Sequence, residues 1–132
     1  MKNQTDALAL VGRILVALIF VLSGFQKLTG FSGVVAAIAG KGLPMPEVLA
    51  ALSVAIELGA GLLLLVGWKA RWAALLLFLF MIPVSLTFHN FWTMDGAQAA
   101  MNRIHFLKNV SIMGGMLLAA AFGPGRYSVD KG

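Results

Sequence analysis

The chain has 132 residues, of which 60% are hydrophobic and only 11% are charged, whereas soluble domains carry about 25% charged residues. A soluble fold is therefore excluded, because a chain long enough for one small domain cannot hide so much apolar surface. The absence of Cys excludes disulfide relays, iron–sulfur clusters and thiolate metal sites, and the net charge of +5 lacks the basic clusters that bind nucleic acid.

Four apolar runs follow one another along the chain, at about residues 7–28, 47–67, 72–91 and 104–122. Each approaches the roughly 20 residues that a helix needs to cross a hydrocarbon layer about 30 Å thick. Because lipid offers the backbone no hydrogen-bond partners, such runs pair their polar groups within a helix. The sequence therefore predicts an all-α integral membrane protein, a single transmembrane domain over residues 1–132 that folds as an antiparallel four-helix bundle.

The connection between the first two spans holds a further apolar segment. Apolar residues recur there at helical spacing between Gly30 and Gly40, which predicts a short helix lying in the membrane interface. In the third span, Pro83 predicts a kink. Small residues at helix-packing spacing predict close helix contacts in the second and fourth spans. They are Ala51, Ala55, Gly59, Ser111, Gly115 and Ala119.

The distribution of Lys and Arg outside the spans predicts the orientation of the chain. Five of these residues fall on the side that holds both termini, and two fall on the other side. The five are Lys2, Lys69, Arg71, Arg126 and Lys131, and the two are Lys41 and Arg103. Positive charge favours the cytoplasm, so we expect a multi-pass protein in contact with the lipid bilayer, with both termini cytoplasmic.

Ionisable residues inside a span are costly in lipid and usually face the interior of the bundle. Measured from the side of the membrane that holds the N-terminus, Arg13 lies about 9 Å deep in the first span and Glu57 about 15 Å deep in the second. We therefore predict an intramembrane ion pair between Arg13 and Glu57. Such a pair has two interpretations. It fixes the register of the two helices, or Arg13 controls the ionisation of Glu57, which then handles protons or binds substrate. The alternative for Arg13 is snorkelling to the cytoplasmic face.

A second polar cluster is predicted towards the opposite side of the bundle. The candidate ligand-binding residues are Lys27, Glu57, His89, Trp92, Lys108 and Asn109. Lys and His donate hydrogen bonds to quinone carbonyl groups and aromatic side chains pack on a quinone ring, so the cluster favours a quinone. The alternative is that these residues anchor span ends among lipid head groups. No carboxylate lies near either His in the sequence, and no metal site is predicted.

The motifs of the chain resemble those of the DoxX family over nearly its whole length. They are Gly12-Arg13, Phe20, Ser23-Gly24, Lys27-Leu28, Glu57-Leu58, Gly59, Gly61, Gly67, His89-Asn90-Phe91-Trp92, Phe106-Leu107-Lys108-Asn109, Gly114-Gly115, Gly123-Pro124-Gly125 and Tyr127-Ser128-Val129-Asp130. This family consists of small four-span membrane proteins, and some are membrane subunits associated with quinone-linked sulfur oxidation or with oxidative-stress enzymes. The resemblance implies an inner (plasma) membrane protein with a redox-linked role and a soluble redox enzyme as its partner.

The polar residues of the spans, together with the resemblance, predict a membrane subunit or adaptor of a redox system with a polar site within the bundle. The resemblance implies that this system is quinone-linked or related to oxidative stress. The sequence contains no nucleotide-binding or metalloprotease motif, so any catalysis needs a bound redox cofactor or a partner subunit. The chain is therefore at most an oxidoreductase subunit. Two alternatives stay open. One is a non-enzymatic membrane scaffold for a soluble partner. The other is a small proton-coupled carrier that acts as a homo-oligomer, with Glu57 as its proton site.

Overall fold

The computed structural model of the protein describes residues 2–132 as an assembly of helices. The helices are α1 (Lys2–Thr29), α2 (Phe31–Gly40), α3 (Pro46–Val66), α4 (Ala70–Phe88) and α5 (Gly96–Phe122). A 3₁₀ turn, Phe91–Thr93, follows α4. Within this described part of the chain, four helices, all except α2, are long and apolar enough to cross a membrane. The predicted all-helical membrane bundle with a short apolar helix after the first span is therefore confirmed.

The last helix begins earlier than the sequence predicts. The fourth apolar run starts near residue 104, but α5 begins at Gly96 and continues without a break to Phe122. Polar residues lower the hydropathy of the first turns without breaking the helix. With 27 residues, α5 is about 40 Å long, which exceeds the thickness of a hydrocarbon layer. Its first turns therefore extend past the apolar layer.

The two ends of the bundle carry different structures. We call the end with the start of α1, the turn at residues 67–69 and the C-terminal segment 123–132 the tail end. The opposite end, which α2 covers, is the α2 end. Between the two ends, the core consists of small and apolar side chains, while large apolar side chains on the outer faces are exposed, as lipid solvation requires.

Two glycines, which lack a Cβ, allow α1 and α3 to pack closely. A Cβ added to Gly24 would lie 2.7 Å from the backbone nitrogen of Leu58, and one added to Gly61 would lie 3.1 Å from Cβ of Phe20. The small residues of the second span that were predicted to pack closely against another helix are exposed instead. They are Ala51, Ala55 and Gly59. The packing face of α3 is therefore a different one from the predicted face.

The turn between α3 and α4 depends on Gly67. Its φ of +75° is left-handed, and the N–H of Trp68 donates to the carbonyl of Leu63 at 2.9 Å, which ends α3. A Cβ at Gly67 would also lie 2.3 Å from Cβ of Ser128, because the C-terminal segment packs against this turn. Glycine is thus required here both for its backbone conformation and for its size.

The C-terminal segment 123–132 folds back over the ends of α3 and α4. The N–H of Asp130 donates to the carbonyl of Gly67 at 2.9 Å. Its carboxylate accepts hydrogen bonds from the N–H groups of Lys69, at 2.8 Å, and Ala70, at 2.9 Å. These N–H groups open α4, so Asp130 caps that helix from a distant part of the chain.

Arg13 of α1 holds the same segment from inside the bundle. Its Nε donates to the carbonyl of Leu65 at 3.2 Å, its Nη1 to that of Pro124 at 2.5 Å, and its Nη2 to that of Tyr127 at 2.9 Å. The guanidinium is close to the C-terminal end of α3, where the helix dipole favours a positive charge. One buried side chain therefore joins α1, α3 and the C-terminal segment.

We expect the docking of the C-terminal segment to depend on pH through Asp130. Hydrogen bonds from the N–H groups of Ala70 and Lys69, together with the positive charges of Arg13 and Lys69, hold the pKa of Asp130 below the 3.8 of an ordinary aspartate. A carboxylate with a lowered pKa stabilises the folded state above the ordinary pKa, and this contribution disappears as the pH falls through the lowered pKa. The segment should stay docked at neutral pH and loosen in acid.

A single fluorescent label measures this effect, because the chain contains no Cys. A fluorophore on Lys131→Cys should be quenched by Trp68 in the adjacent turn at neutral pH and should brighten below about pH 4. In Asp130→Asn the charge is removed at every pH, so the acid-dependent change should be absent. Equal pH responses with and without this substitution would contradict the assignment.

Candidate functional site

The close contact between α1 and α3 brings a cation and a carboxylate together. Gly24 lies against Leu58, and Lys27 follows Gly24 by three residues on the same face of α1. Glu57 precedes Leu58 on α3. As a result, Nζ of Lys27 donates a hydrogen bond to Oε1 of Glu57 and forms an ion pair with it.

Glu57 occupies an unusual position in its helix. It belongs to a π-helical turn, Ala55–Ala60, and such turns often occur at functional sites. The residue is 4% exposed. Its Oε2 is buried and has no hydrogen-bond partner among residues 2–132. An unsatisfied buried carboxylate oxygen raises the free energy of the folded protein, so a ligand that donates a hydrogen bond there would bind favourably.

The predicted ion pair between Arg13 and Glu57 is wrong. Glu57 pairs with Lys27, and Arg13 binds backbone carbonyl groups at the tail end. Arg13 and Glu57 lie at different depths because α3 ends level with Arg13 rather than with the start of α1: a Cβ on Gly67 would lie 3.3 Å from Cζ of Arg13. Ten residues, or about 15 Å of helix, separate Gly67 from Glu57 along α3.

A cavity of 250 Å³ lies among α1, α3, α4 and α5 and is bordered by Glu57. We call it the Glu57 cavity. Its polar lining residues are Ser23, Glu57, His89, His105 and Asn109, and the rest of its lining is apolar. The side chain of Asn109 is held in place because its Nδ2 donates to Oγ of Ser85 on α4 at 3.1 Å.

Two histidine rings stand side by side along this cavity. The ring centroids of His89 and His105 are 5.2 Å apart. Nδ1 of His89 lies 3.0 Å from Oδ1 of Asn102, whose Nδ2 donates to the carbonyl of Gln98 at 3.0 Å. With the amide oriented in this way, Nδ1 of His89 carries the proton, and Nε2 of the neutral ring is left as an acceptor.

His105 and Asn102 are not among the candidate residues that the sequence predicts. The fourth apolar run begins near residue 104, so Asn102 falls outside every predicted span. In the structure, α5 reaches back to Gly96, and Asn102 lies one turn before His105. The spacing of three residues between a polar amide and an imidazole was the available signal.

The structure brings together four of the six predicted ligand-binding residues. They are Lys27, Glu57, His89 and Asn109. Trp92 and Lys108 lie elsewhere. Trp92 is 54% exposed and packs edge-on against Phe106, with ring centroids 5.7 Å apart. Lys108 is exposed on α5, because it is rotated by about 100° from the neighbouring Asn109.

The assembled groups have complementary hydrogen-bonding properties. An ammonium only donates, a carboxylate only accepts, and a neutral imidazole does both. Nζ of Lys27 also lies 6.0 Å from the ring centroid of Phe80, so an aromatic face adjoins the charge. The site can therefore hold a small planar head group that both accepts and donates hydrogen bonds, and its imidazole rings can exchange protons with it.

Comparison with known proteins gives matches over most of the chain. The profile of the DoxX family matches residues 8–90. The inner membrane protein YphA of Escherichia coli (strain K12) is 40% identical over 124 residues, which cover 94% of this chain and 89% of that protein. The inner membrane protein YqjF of the same organism is 34% identical over 131 residues, which cover 99% of this chain and 95% of that protein.

A weaker similarity reaches a protein of eukaryotic membranes. The ER-derived vesicles protein ERV29 of Saccharomyces cerevisiae is 32% identical over 66 residues, which cover 50% of this chain and 21% of that protein. No solved structure matches the chain significantly. The family match includes Lys27, Glu57 and His89 and ends before α5, which supplies His105 and Asn109.

Proposed function

Since the chain belongs to the DoxX family of inner-membrane proteins, we propose that it is the membrane subunit of a redox system and binds the head group of a quinone in the Glu57 cavity. The observation that carries the proposal is the buried Oε2 of Glu57, which lacks a hydrogen-bond partner within residues 2–132. In this proposal, the carboxylate turns towards the cavity that Glu57 borders, and a reduced quinone there supplies the missing donor, because its hydroxyl groups donate hydrogen bonds.

The other groups of the cavity support the same ligand. The ammonium of Lys27 donates to a carbonyl oxygen of the oxidised form, and Nε2 of His89 accepts from a hydroxyl group of the reduced form. Phe20 and Phe80 offer apolar surface for the ring. The volume of 250 Å³ lies just below the range of about 300–1,000 Å³ typical of drug-sized ligands, so it suits a single ring.

In this proposal, the partner is a soluble redox enzyme that carries its own cofactor and uses the quinone held by the chain. The tail end carries the larger share of the basic residues outside the spans, and positive charge favours the cytoplasm, so we propose that both termini are cytoplasmic. The exposed Lys69, in the turn before α4, and Arg71, in the first turn of α4, then offer a docking surface on that side. The chain itself supplies the quinone site and its hydrogen-bonding groups.

Equilibrium binding of a short-chain quinone, in its oxidised and reduced forms, to the protein in nanodiscs tests the proposal. Lys27→Met and Glu57→Gln are expected to weaken binding about 10- to 100-fold, because a hydrogen bond to a charged group contributes about 1.5–3 kcal/mol. Glu57→Gln should affect the reduced form more strongly, since the lost acceptor serves a hydroxyl donor.

Lys108→Met is the matched control for Lys27→Met. Both substitutions remove one ammonium from a spanning helix, but Lys108 is exposed and lies outside the lining of the cavity. Its affinity for quinone should equal that of the wild type. If Lys27→Met and Lys108→Met bind quinone as well as the wild type, the site is wrong, and a non-enzymatic membrane scaffold becomes the better account.

A further inference from the structure

A larger cavity of 440 Å³ lies beneath α2 and is bordered by α1, α2, α3 and α4. We call it the α2 cavity. Its polar lining residues are Lys27, Ser53 and His89, and the remaining lining consists of glycine and apolar side chains. Its volume falls within the range of about 300–1,000 Å³ that holds small-molecule ligands. The walls therefore suit an apolar ligand part that ends at a polar group.

The α2 cavity adjoins the Glu57 cavity at its polar residues. Lys27 lines the α2 cavity and binds Glu57, while His89 lines both cavities. Val84 of α4 also borders both. A ligand whose head group binds Glu57 therefore has an apolar space immediately next to it.

The α2 cavity continues into an apolar space on its other side. A neighbouring cavity of 210 Å³ shares four lining residues with it. They are Ile38, Ser53, Val84 and Phe88. This outer cavity lies among α2, α3 and α4 and is lined almost entirely by apolar side chains, including Pro83. The three cavities thus form a series that runs from Glu57 to the space between α2 and α4.

Two local features keep this space open. A Cβ added to Gly33 of α2 would meet nothing within 4 Å, so the helix leaves room beneath it. Pro83 removes one backbone hydrogen bond of α4 and bends a helix at such a position, next to Val84, which borders all three cavities. The apolar series is therefore built by the sequences of α2 and α4.

We propose that the α2 cavity holds the single apolar chain of the ligand whose head group binds Glu57, so that the ligand is an isoprenoid quinone that enters from the lipid between α2 and α4. This inference rests on the proposed function. It follows from the order of the lining residues: a charged end that carries an imidazole is followed by a lining that is apolar except for Ser53 and Thr87. In this arrangement, α2 covers the isoprenoid chain of the ligand and separates it from the lipid head groups of the membrane.

Paired substitutions on α2 test the inference. Both Ala36 and Ala37 are exposed on α2, but Ala37 lines the α2 cavity, whereas Ala36 borders none of the three cavities. Ala37→Phe should fill the space and weaken the binding of a quinone with an isoprenoid chain about ten-fold or more. A quinone that lacks the isoprenoid chain should bind this variant and the wild type with equal affinity. Ala36→Phe should bind both quinones normally.

The outcomes separate this inference from the proposed function. If Ala37→Phe weakens both quinones equally, or neither, the chain does not lie beneath α2, while the response to Lys27→Met still decides whether the head-group site exists. If a lysophospholipid competes in the wild type and only its binding is lost in Ala37→Phe, the cavity holds a lipid acyl chain and the inference is wrong.

A second measurement decides the matter if Ala37→Phe does not fold. A quinone with a photoactivatable group at the end of its chain should label α2 of the wild-type protein, near Val34 or Ile38. Labelling of the exposed face of α5, near Leu107, would overturn the inference. The photoactivated label shows where the isoprenoid chain lies and requires no substitution in the protein.

Discussion

A Gly24→Ala variant is expected to lose about 1–3 kcal/mol of unfolding free energy, the cost of forcing an extra group into a packed contact. The added Cβ would lie 2.7 Å from the nitrogen and 2.9 Å from Cβ of Leu58. These atoms belong to the rigid frame of α3 and cannot rotate away, so α1 and α3 must separate. Because the same contact brings Lys27 to Glu57, the quinone affinity should fall together with the stability.

Gly12→Ala is the matched control on the same helix. Gly12 is exposed, and a Cβ there would meet nothing within 4 Å. Alanine favours a helix over glycine by about 1 kcal/mol, so this variant should be as stable as the wild type or slightly more stable. Thermal unfolding of both variants in one detergent provides the measurement. Equal midpoints would show that α1 and α3 do not pack at Gly24.

The fold class could be predicted because lipid imposes a simple rule on the sequence. A span needs an apolar run of about 20 residues, and the first three runs coincide closely with α1, α3 and α4. The same rule misplaced the start of α5, because the helix begins several residues before its apolar run does. Gln98 and Asn102 are polar yet helical, and no hydropathy criterion distinguishes a loop from a helix that leaves the bilayer.

Polar residues of the site could be identified one by one, but their pairing could not. Each stands out because it is costly in lipid, whereas pairing depends on the relative heights of the helices. Gly67, at the end of α3, lies against Arg13, which is well inside α1, so α3 is shifted along the bundle axis relative to α1. That shift places Glu57 beside Lys27 rather than Arg13.

Lys27 and Lys108 show why helix rotation matters for the site. In the sequence, each is a cation close to the end of a span, and both ends lie on the same side of the membrane. Lys27 shares a face of α1 with the buried Arg13 and Gly24, so its inward position could be predicted from periodicity. Among the described residues of α5 only Met116 is buried, so this peripheral helix carries no clear inward face in its sequence, and Lys108 could not be placed.

Arg13→Leu is expected to release the C-terminal segment and to lower the unfolding free energy by about 2–5 kcal/mol. The substitution removes three hydrogen bonds to backbone carbonyl groups and leaves those carbonyls without their donor. Each such bond contributes about 0.6–1.7 kcal/mol within a membrane, and more where a buried partner is left unsatisfied. Thermal unfolding and a fluorophore on Lys131→Cys measure stability and docking together.

Arg13→Lys separates the charge of this side chain from its geometry. If Arg13 only reaches towards the membrane surface at the tail end, lysine should replace it without loss, because both side chains place a positive charge there. The carbonyl groups of Leu65, Pro124 and Tyr127 instead require a planar fork with several donors, which one ammonium cannot match. We therefore expect Arg13→Lys to loosen the segment nearly as much as Arg13→Leu, whereas Arg103→Leu, at an exposed position on α5, should leave it docked. A fully docked segment in Arg13→Lys would show that charge alone holds it, and that the three hydrogen bonds are not what joins the C-terminal segment to α1.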